Sequence, residues 1–196
     1  MLETLRQPVE DGIITISRSA GRVNFPAKFM LVAAQNPCPC GFFGNPNKNC
    51  KCNLNQILKY QRRVSGPMLD RIDIHLDVPA VKVEKLHSSD ANPAENSGAI
   101  RKRVQKARDI QTKRFKNFKI ASNSEMGNRE IKEFCNLDEN CIKLLHLAVV
   151  KMNLSARSYN RTIKLSRTIA DLAGVKNINS SHIAEALQFR PRNDTI

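Results

Sequence analysis

Hydrophobic and polar positions change period twice along these 196 residues. Residues 2–10 place Leu2, Leu5 and Val9 on one helical face, and Asp11-Gly12 stops the run, which predicts a short helix. Ile13-Ile-Thr-Ile-Ser17 and Asn24-Phe25 flank Ser19-Ala-Gly-Arg22, the signature of a β-hairpin with a Gly-containing turn. Phe29 to Ala34 is apolar at every position, as expected of a central parallel strand covered on both faces. Residues 37–52 interrupt all periodicity with Pro, Gly and Cys. Asn53 or Asn55 then caps a short predicted helix carrying Ile57, Leu58 and Tyr60, which Ser65-Gly66-Pro67 ends. Ile72, Ile74, Leu76 and Val78 alternate with Asp73, His75 and Asp77, predicting a half-buried strand that Pro79 terminates.

Residues 81–97 are polar, with Ser88, Asn92, Pro93 and Ser97 among them, and are read as a linker at a domain boundary. Everything beyond has helical character. Helices are predicted over about 99–115, shortly after Asn128, from Asp138 to about Met152, from Ser155 to Gly174, and from Ser180 or Ser181 to just before Pro191. Ser155 suits an N-cap and Gly174 the left-handed position that closes a helix. A small α/β part therefore precedes an all-helical one.

Net charge is +14 and the sequence pI is near 9.9, which favours polyanionic partners or acidic protein surfaces. Nine Lys or Arg face one acid, Asp109, over residues 101–119. Such a run is either a solvated helix face or a phosphate-contacting one, and Arg101, Lys102, Arg103 and Lys106 are its candidate contacts. Aromatic residues are only 5% of the chain and Trp is absent, which argues against a single-strand stacking platform. No apolar run reaches the roughly 20 residues of a membrane span, and no leader precedes the first helix, so a cytoplasmic protein without a membrane partner is expected.

Six cysteines in such a protein do not imply a disulfide framework. Cys135 and Cys141 fall in helical segments and read as small core hydrophobes. Cys38, Cys40, Cys50 and Cys52 form two Cys-x-Cys pairs, with Gly41, Gly44 and Pro46 between the pairs. They suit a closed tetrahedral structural zinc knuckle, in which Lys48 and Lys51 offset the excess negative charge of four thiolates; unmetallated thiols are the alternative. His75, His87, His146 and His182 pair with no nucleophile or metal cluster in the sequence.

Three polar residues occupy unusual places. Asn36 closes the apolar run, Arg71 follows the Gly66-Pro67 turn, and Arg157 lies in the first turn after Ser155, where a cation is unfavourable unless an anion is bound nearby. No Gly-Lys dipeptide occurs, so the phosphate-cradling loop is absent from the sequence.

The segments Val32-Ala-Ala-Gln-Asn-Pro-Cys-Pro-Cys-Gly41 and Ser65-Gly-Pro-Met-Leu-Asp-Arg-Ile-Asp73 resemble the Mg-chelatase-like AAA+ ATPases of the YifB/ComM group. So do Leu154-Ser-Ala-Arg-Ser-Tyr-Asn-Arg161, Arg167-Thr-Ile-Ala-Asp-Leu-Ala-Gly174 and Ile183-Ala-Glu-Ala-Leu-Gln-Phe-Arg190. The resemblance implies the fold class of an α/β fragment of an AAA+ core, a parallel-sheet part plus the hairpin, over residues 1–80 with the four-cysteine insertion at 37–52. It places a helical lid at 98–190 and a tail at 191–196. Both Walker motifs are expected before Met1, so the chain is expected to be inactive alone while the intact protein is an ATPase. By the same resemblance Asn36 is sensor 1, Arg71 the arginine finger with Arg62 and Arg63 as rivals, and Arg157 sensor 2. ATP and Mg are the implied cofactors, and DNA and a homo-oligomeric ring, a hexamer, the implied partners; because such hairpin loops face the central pore in related machines, the resemblance makes Arg18 and Arg22 a second candidate contact for nucleic acid. A non-catalytic, zinc-stabilised adaptor for nucleic acid or protein is the alternative.

Overall fold

A computed structural model of the protein describes residues 2–19, 21–79 and 95–191. Residues 81–94 of the expected linker, the tail residues 192–196 and His87 lie outside the described residues. The described chain forms two compact units, one of residues 2–72 and 77–79, the other of residues 73–76 and 95–191.

In the first unit a 3-10 turn at Leu2–Leu5 runs into α1 (Arg6–Asp11). Gly12 closes it in the left-handed region at φ 66°, donating its N–H to Pro8 O at 3.0 Å. A Cβ there would come within 3.1 Å of Lys28 Cγ, so both conformation and space select glycine. β1 (Ile13–Arg18) and β2 (Gly21–Pro26) pair antiparallel, from Ile13↔Pro26 to Arg18↔Gly21. Because side chains alternate, Ile14, Ile16, Val23 and Phe25 share one face with Arg18, whereas Thr15, Asn24 and Arg22 share the other. The apolar face is exposed, with those four residues 44–54% accessible. Thr15 donates to Asn24 Oδ1 at 2.8 Å across the polar face, and Gln7 of α1 donates to Thr15 Oγ1 at 3.4 Å.

Of the two helix caps the sequence offered, Asn53 is the one used. Its side chain accepts from Gln56 N at 2.9 Å while Gln56 Oε1 accepts from Asn53 N at 3.0 Å, a reciprocal box that starts α2 (Leu54–Gln61). A further single turn, α3 (Gly66–Leu69), is capped by Ser65.

The expected parallel-sheet part is not formed among the described residues, whose only sheet is the hairpin. Residues 29–34 form no strand and pair with no strand among the described residues, and Met30 and Val32 are more than 80% exposed. An all-apolar run becomes a central strand only when neighbours supply its ladder and cover both faces, and here neither is present. Residues 72–78 likewise lack a strand partner. Ile74, Leu76 and Val78 are exposed, and His75 N–H instead donates to Phe189 O at 2.9 Å inside the helical unit. Arg71 accordingly sits in the turn that closes α3, its N–H on Met68 O, and does not open a strand.

The second unit is helical: α4 (Ser97–Arg114), a 3-10 turn at Asn123–Glu125, α5 (Asn128–Phe134), α6 (Glu139–Met152), α7 (Ala156–Leu172) and α8 (Ser180–Gln188). Two of the start signals read from sequence, Asp138 and Ser155, are caps in use, whereas α5 is capped by Gly127 and α8 by Asn179. Asp138 accepts from Cys141 N at 2.7 Å and Ser155 from Ser158 N at 3.1 Å, and Gly174 follows α7 at φ 71°. Phe115, Met126, Ile131, Cys135, Cys141, Leu145, Ile163, Ala170, Ile178 and Ile183 form the core. Phe115, Phe118 and Phe134 meet edge to face with centroids 5.2–6.3 Å apart. Burial pushes the Cys135 and Cys141 thiols up to about 11, as inert core cysteines require.

One polar cluster is enclosed here. Asp171 accepts both Arg114 guanidinium nitrogens (2.7 and 2.5 Å), Arg167 Nε (3.1 Å) and Asn123 Nδ2 (2.8 Å). Arg167 spends its other nitrogens on Lys176 O and Val175 O, at 2.6 and 2.8 Å. Burial alone would raise the Asp171 pKa, but Arg114, Asn123 and Arg167 hold it below the ordinary value. A folded-state pKa below the unfolded one means stability is present above the unfolded value of about 4 and is lost as pH falls through the folded value. Asp171→Ala, which strands the buried Arg167 guanidinium and the half-buried one of Arg114, is therefore expected to cost about 3–5 kcal/mol in urea unfolding followed by circular dichroism. The same variant should show a shallower loss of stability than the wild type as pH falls below about 4.

Candidate functional site

The four cysteines of the insertion are brought together. Gly41 and Gly44 adopt φ of 82° and 78°, which folds the chain back so that the second Cys-x-Cys pair meets the first. All four sulfurs lie within 4.8 Å of one another, and Cys38, Cys40 and Cys50 are separated by 3.4–3.6 Å. Four ligands at about 2.3 Å from a tetrahedral zinc stand roughly 3.8 Å apart, so little movement is needed to admit the ion. All six cysteines are free thiols.

The cage is polarised toward thiolate. N–H groups of Phe42 and Lys51 aim at Cys40 and lower its pKa to about 6. At Cys50 the Cys52 N–H favours ionisation, yet burial and the Cys40 and Cys38 sulfurs outweigh it and push the thiol up to about 12. Adjacent sulfurs thus compete for negative charge, a conflict that a divalent cation removes. Lys48 lies 5.1 Å from the Phe42 ring centroid.

Asn36 is exposed just beyond the apolar run, and the next carbonyl, Pro37 O, is held by Gln61 Nε2 at 3.3 Å. Arg71 is buried, 9% exposed. Glu10 Oε2 accepts Arg71 Nε at 2.7 Å and also Nη2, while Nη1 donates to Pro67 O at 2.6 Å. An ion pair with Asp70 or Asp73 would be the local expectation, but the partner comes from 61 residues away, which no spacing rule could find. Arg62 and Arg63 are exposed at the end of α2, with Arg63 5.5 Å from the Tyr60 ring.

In the helical unit Arg157 is exposed at the second position of α7. An open recess of about 510 Å³ lies between the end of α6 and the start of α7, lined by His146, Val149, Val150, Leu154 and Tyr159. Arg161 pairs with Asp73 and Lys164 donates to Ser124 O at 2.9 Å, so both serve the fold. On α4, Arg101, Lys102 and Lys106 are exposed, whereas Arg103 forms a two-point pair with Glu95 at 2.7 and 3.1 Å. Arg18 and Arg22 are exposed on opposite faces of the hairpin. His182 is buried, its Nδ1 accepting Asn179 N at 3.2 Å in a helix cap.

The magnesium chelatase subunit ChlI family matches residues 1–86, and the family of the ChlI C-terminal region matches residues 94–190. Competence protein ComM of Haemophilus influenzae is 40% identical over 191 residues, 97% of this chain and 36% of the relative. YifB of Escherichia coli is 37% identical over 190 residues, 96% of this chain and 36% of the relative. The chain belongs to the Mg-chelatase-like family, in its YifB/ComM group. It spans about a third of the length of these curated relatives. Among the described residues no helix is long and apolar enough to cross a membrane.

The cage generates a direct expectation. Elemental analysis of the purified chain should find about one zinc per chain. Cys38→Ser, which removes the fully buried ligand, should abolish retention, and a fully folded wild type free of metal would overturn the assignment.

Proposed function

We propose that the chain is part of an AAA+ ATPase that, when intact, couples ATP hydrolysis to DNA remodelling of the helicase or branch-migration kind. It would act as a homo-oligomeric ring, a hexamer, in the cytoplasm. One observation carries the reading: the 40% identity to a competence protein extends over 97% of the chain, through both units. ATP and Mg supply the reacting phosphoryl group and its charge neutralisation, and this chain's residues position and stabilise.

Phosphoryl transfer depends mostly on positioning and charge stabilisation, so few side chains suffice. Asn36 would act as sensor 1, its amide orienting the attacking water. Arg71 would be the finger, delivering a guanidinium to nucleotide held by a neighbouring copy. Arg157 would be sensor 2; its place in the first turn of α7, against the helix dipole, makes sense for a residue that meets phosphate. The cysteine cage would hold structural zinc, since four protein ligands leave no open position for chemistry. Arg18 and Arg22 on the hairpin, with Arg101, Lys102, Arg103 and Lys106 on α4, would contact DNA phosphates. The Arg103–Glu95 pair is exposed at both ends, so solvent and a polyanion can displace it at small cost.

A second reading, a non-catalytic zinc-stabilised adaptor for nucleic acid or protein, is favoured by the engagement of Arg71 with Glu10. ATPase activity of the full-length protein, with and without branched DNA, separates the two readings. Arg71→Ala should abolish hydrolysis while ATP binding persists; unchanged turnover would remove the finger assignment. DNA affinity of the full-length protein should drop steeply as salt rises from about 50 to 200 mM, and a flat response would exclude phosphate contact.

A further inference from the structure

We infer that Glu10 is a positioning residue that latches Arg71 in a withdrawn state, so that release of this one ion pair gates delivery of the finger. The inference rests on the reading of Arg71 as that finger. A guanidinium presents two edges that can grip a phosphate with paired N–H groups. Both edges are committed here: Nε and Nη2 go to Glu10 Oε2, and Nη1 goes to Pro67 O at 2.6 Å. The side chain is folded back along α3, whose first turn supplies that carbonyl. Arg71 held this way cannot give a bidentate grip to an external anion until at least one edge is freed.

The pair is built to yield to a better ligand. Glu10 holds Arg71 through a single oxygen, whereas a terminal phosphate offers two oxygens in the fork geometry that guanidinium prefers, and more negative charge. Arg71 is 9% exposed but the Glu10 side chain is 32% exposed, so the pair can be approached from solvent on its acidic side. Two states therefore compete for one guanidinium: closed on Glu10, or open on the terminal phosphate of a nucleoside triphosphate. The ligand shifts the balance by its differential affinity alone.

Glu10 also stands where the hairpin can act on it. It lies in the last turn of α1, and Gly12 leads directly from that helix into β1. Gln7 of the same helix donates to Thr15 Oγ1 of β1, and Ala27, just beyond β2, donates its N–H to Gly12 O at 2.7 Å, so the hairpin is tied both to α1 and to the residue that closes it. A polyanion drawn to Arg18 and Arg22 pulls on the two-residue connection that follows Glu10. The latch thereby gives DNA a route to the hydrolysis rate without touching nucleotide.

Steady-state hydrolysis by the full-length protein tests this with Glu10→Gln, Arg71→Ala and the double variant. Glu10→Gln keeps size and acceptor but loses charge. It should raise the DNA-free kcat at least threefold, leave the KM for ATP unchanged and shrink the stimulation by branched DNA. The double variant should be as inactive as Arg71→Ala. A DNA-free kcat at or below wild type in Glu10→Gln, with Arg71→Ala inactive, overturns the latch and leaves the finger standing. Wild-type turnover in Arg71→Ala overturns the finger and the latch together. A measurement on the unaltered chain guards against a folding defect: the Arg71 Nε–H should exchange with water much more slowly than that of exposed Arg62. Equal exchange would mean that no latch exists.

Discussion

The helical unit depends on how one buried carboxylate distributes two positive charges. Asp171 lies near the carboxyl end of α7, where the helix dipole opposes a negative group, and it is almost completely enclosed. It is tenable there because Arg114 arrives from the last turn of α4 and Arg167 from its own helix. The excess cation is absorbed by the carbonyls of Val175 and Lys176 beyond the helix end. Asn123 joins the same carboxylate to the 3-10 turn and also reaches Thr168. The docking of α4 and of the 123–125 turn on α7 is thus fixed by one constellation, beside which the three phenylalanines pack.

The first unit is organised on other terms. Among its described residues only Pro8, Cys38, Ile57, Met68 and Arg71 are buried. Local devices fill the gap: a left-handed glycine after α1, a reciprocal cap on α2, a hydrogen-bonded hairpin and the sulfur cage. A unit with so little apolar interior is the kind that gains most from a metal cross-link, because closing the loop between the cysteine pairs restrains the unfolded chain as well as the folded one. The Glu10–Arg71 pair joins α1 to α3 across the unit, which gives it structural weight beside the regulatory role proposed for it.

What could be read from sequence followed from how local its cause is. Asn53, Asp138, Ser155 and Gly174 act on backbone within three or four residues, and they appear as read. The cysteine cage was legible because its spacing and glycines encode the fold-back. The helices survive without help because their hydrogen bonds are internal. The strands expected at 29–34 and 72–78 do not, since a strand borrows its bonds from a neighbour that the pattern cannot name. Buried polar residues on α7 were also illegible: Thr162 and Ser166 satisfy their hydroxyls on carbonyls four residues back, a solution invisible to hydropathy. Pairs such as Glu10–Arg71 and Arg114–Asp171 join residues nearly sixty positions apart or more, beyond any periodicity.

The apolar run from Phe29 to Ala34 has a practical corollary for the isolated polypeptide. It is β-prone, uncharged and largely solvent-facing, and it joins no sheet among the described residues, so one copy is a ready template for the next. Mutual repulsion at +14 keeps copies apart when ions are scarce. Added electrolyte shortens the reach of that repulsion to about 10 Å at 0.1 M while leaving the adhesive segment untouched. Colloidal behaviour should therefore invert the usual rule for basic proteins, with clear solutions in dilute buffer and turbidity as ionic strength climbs.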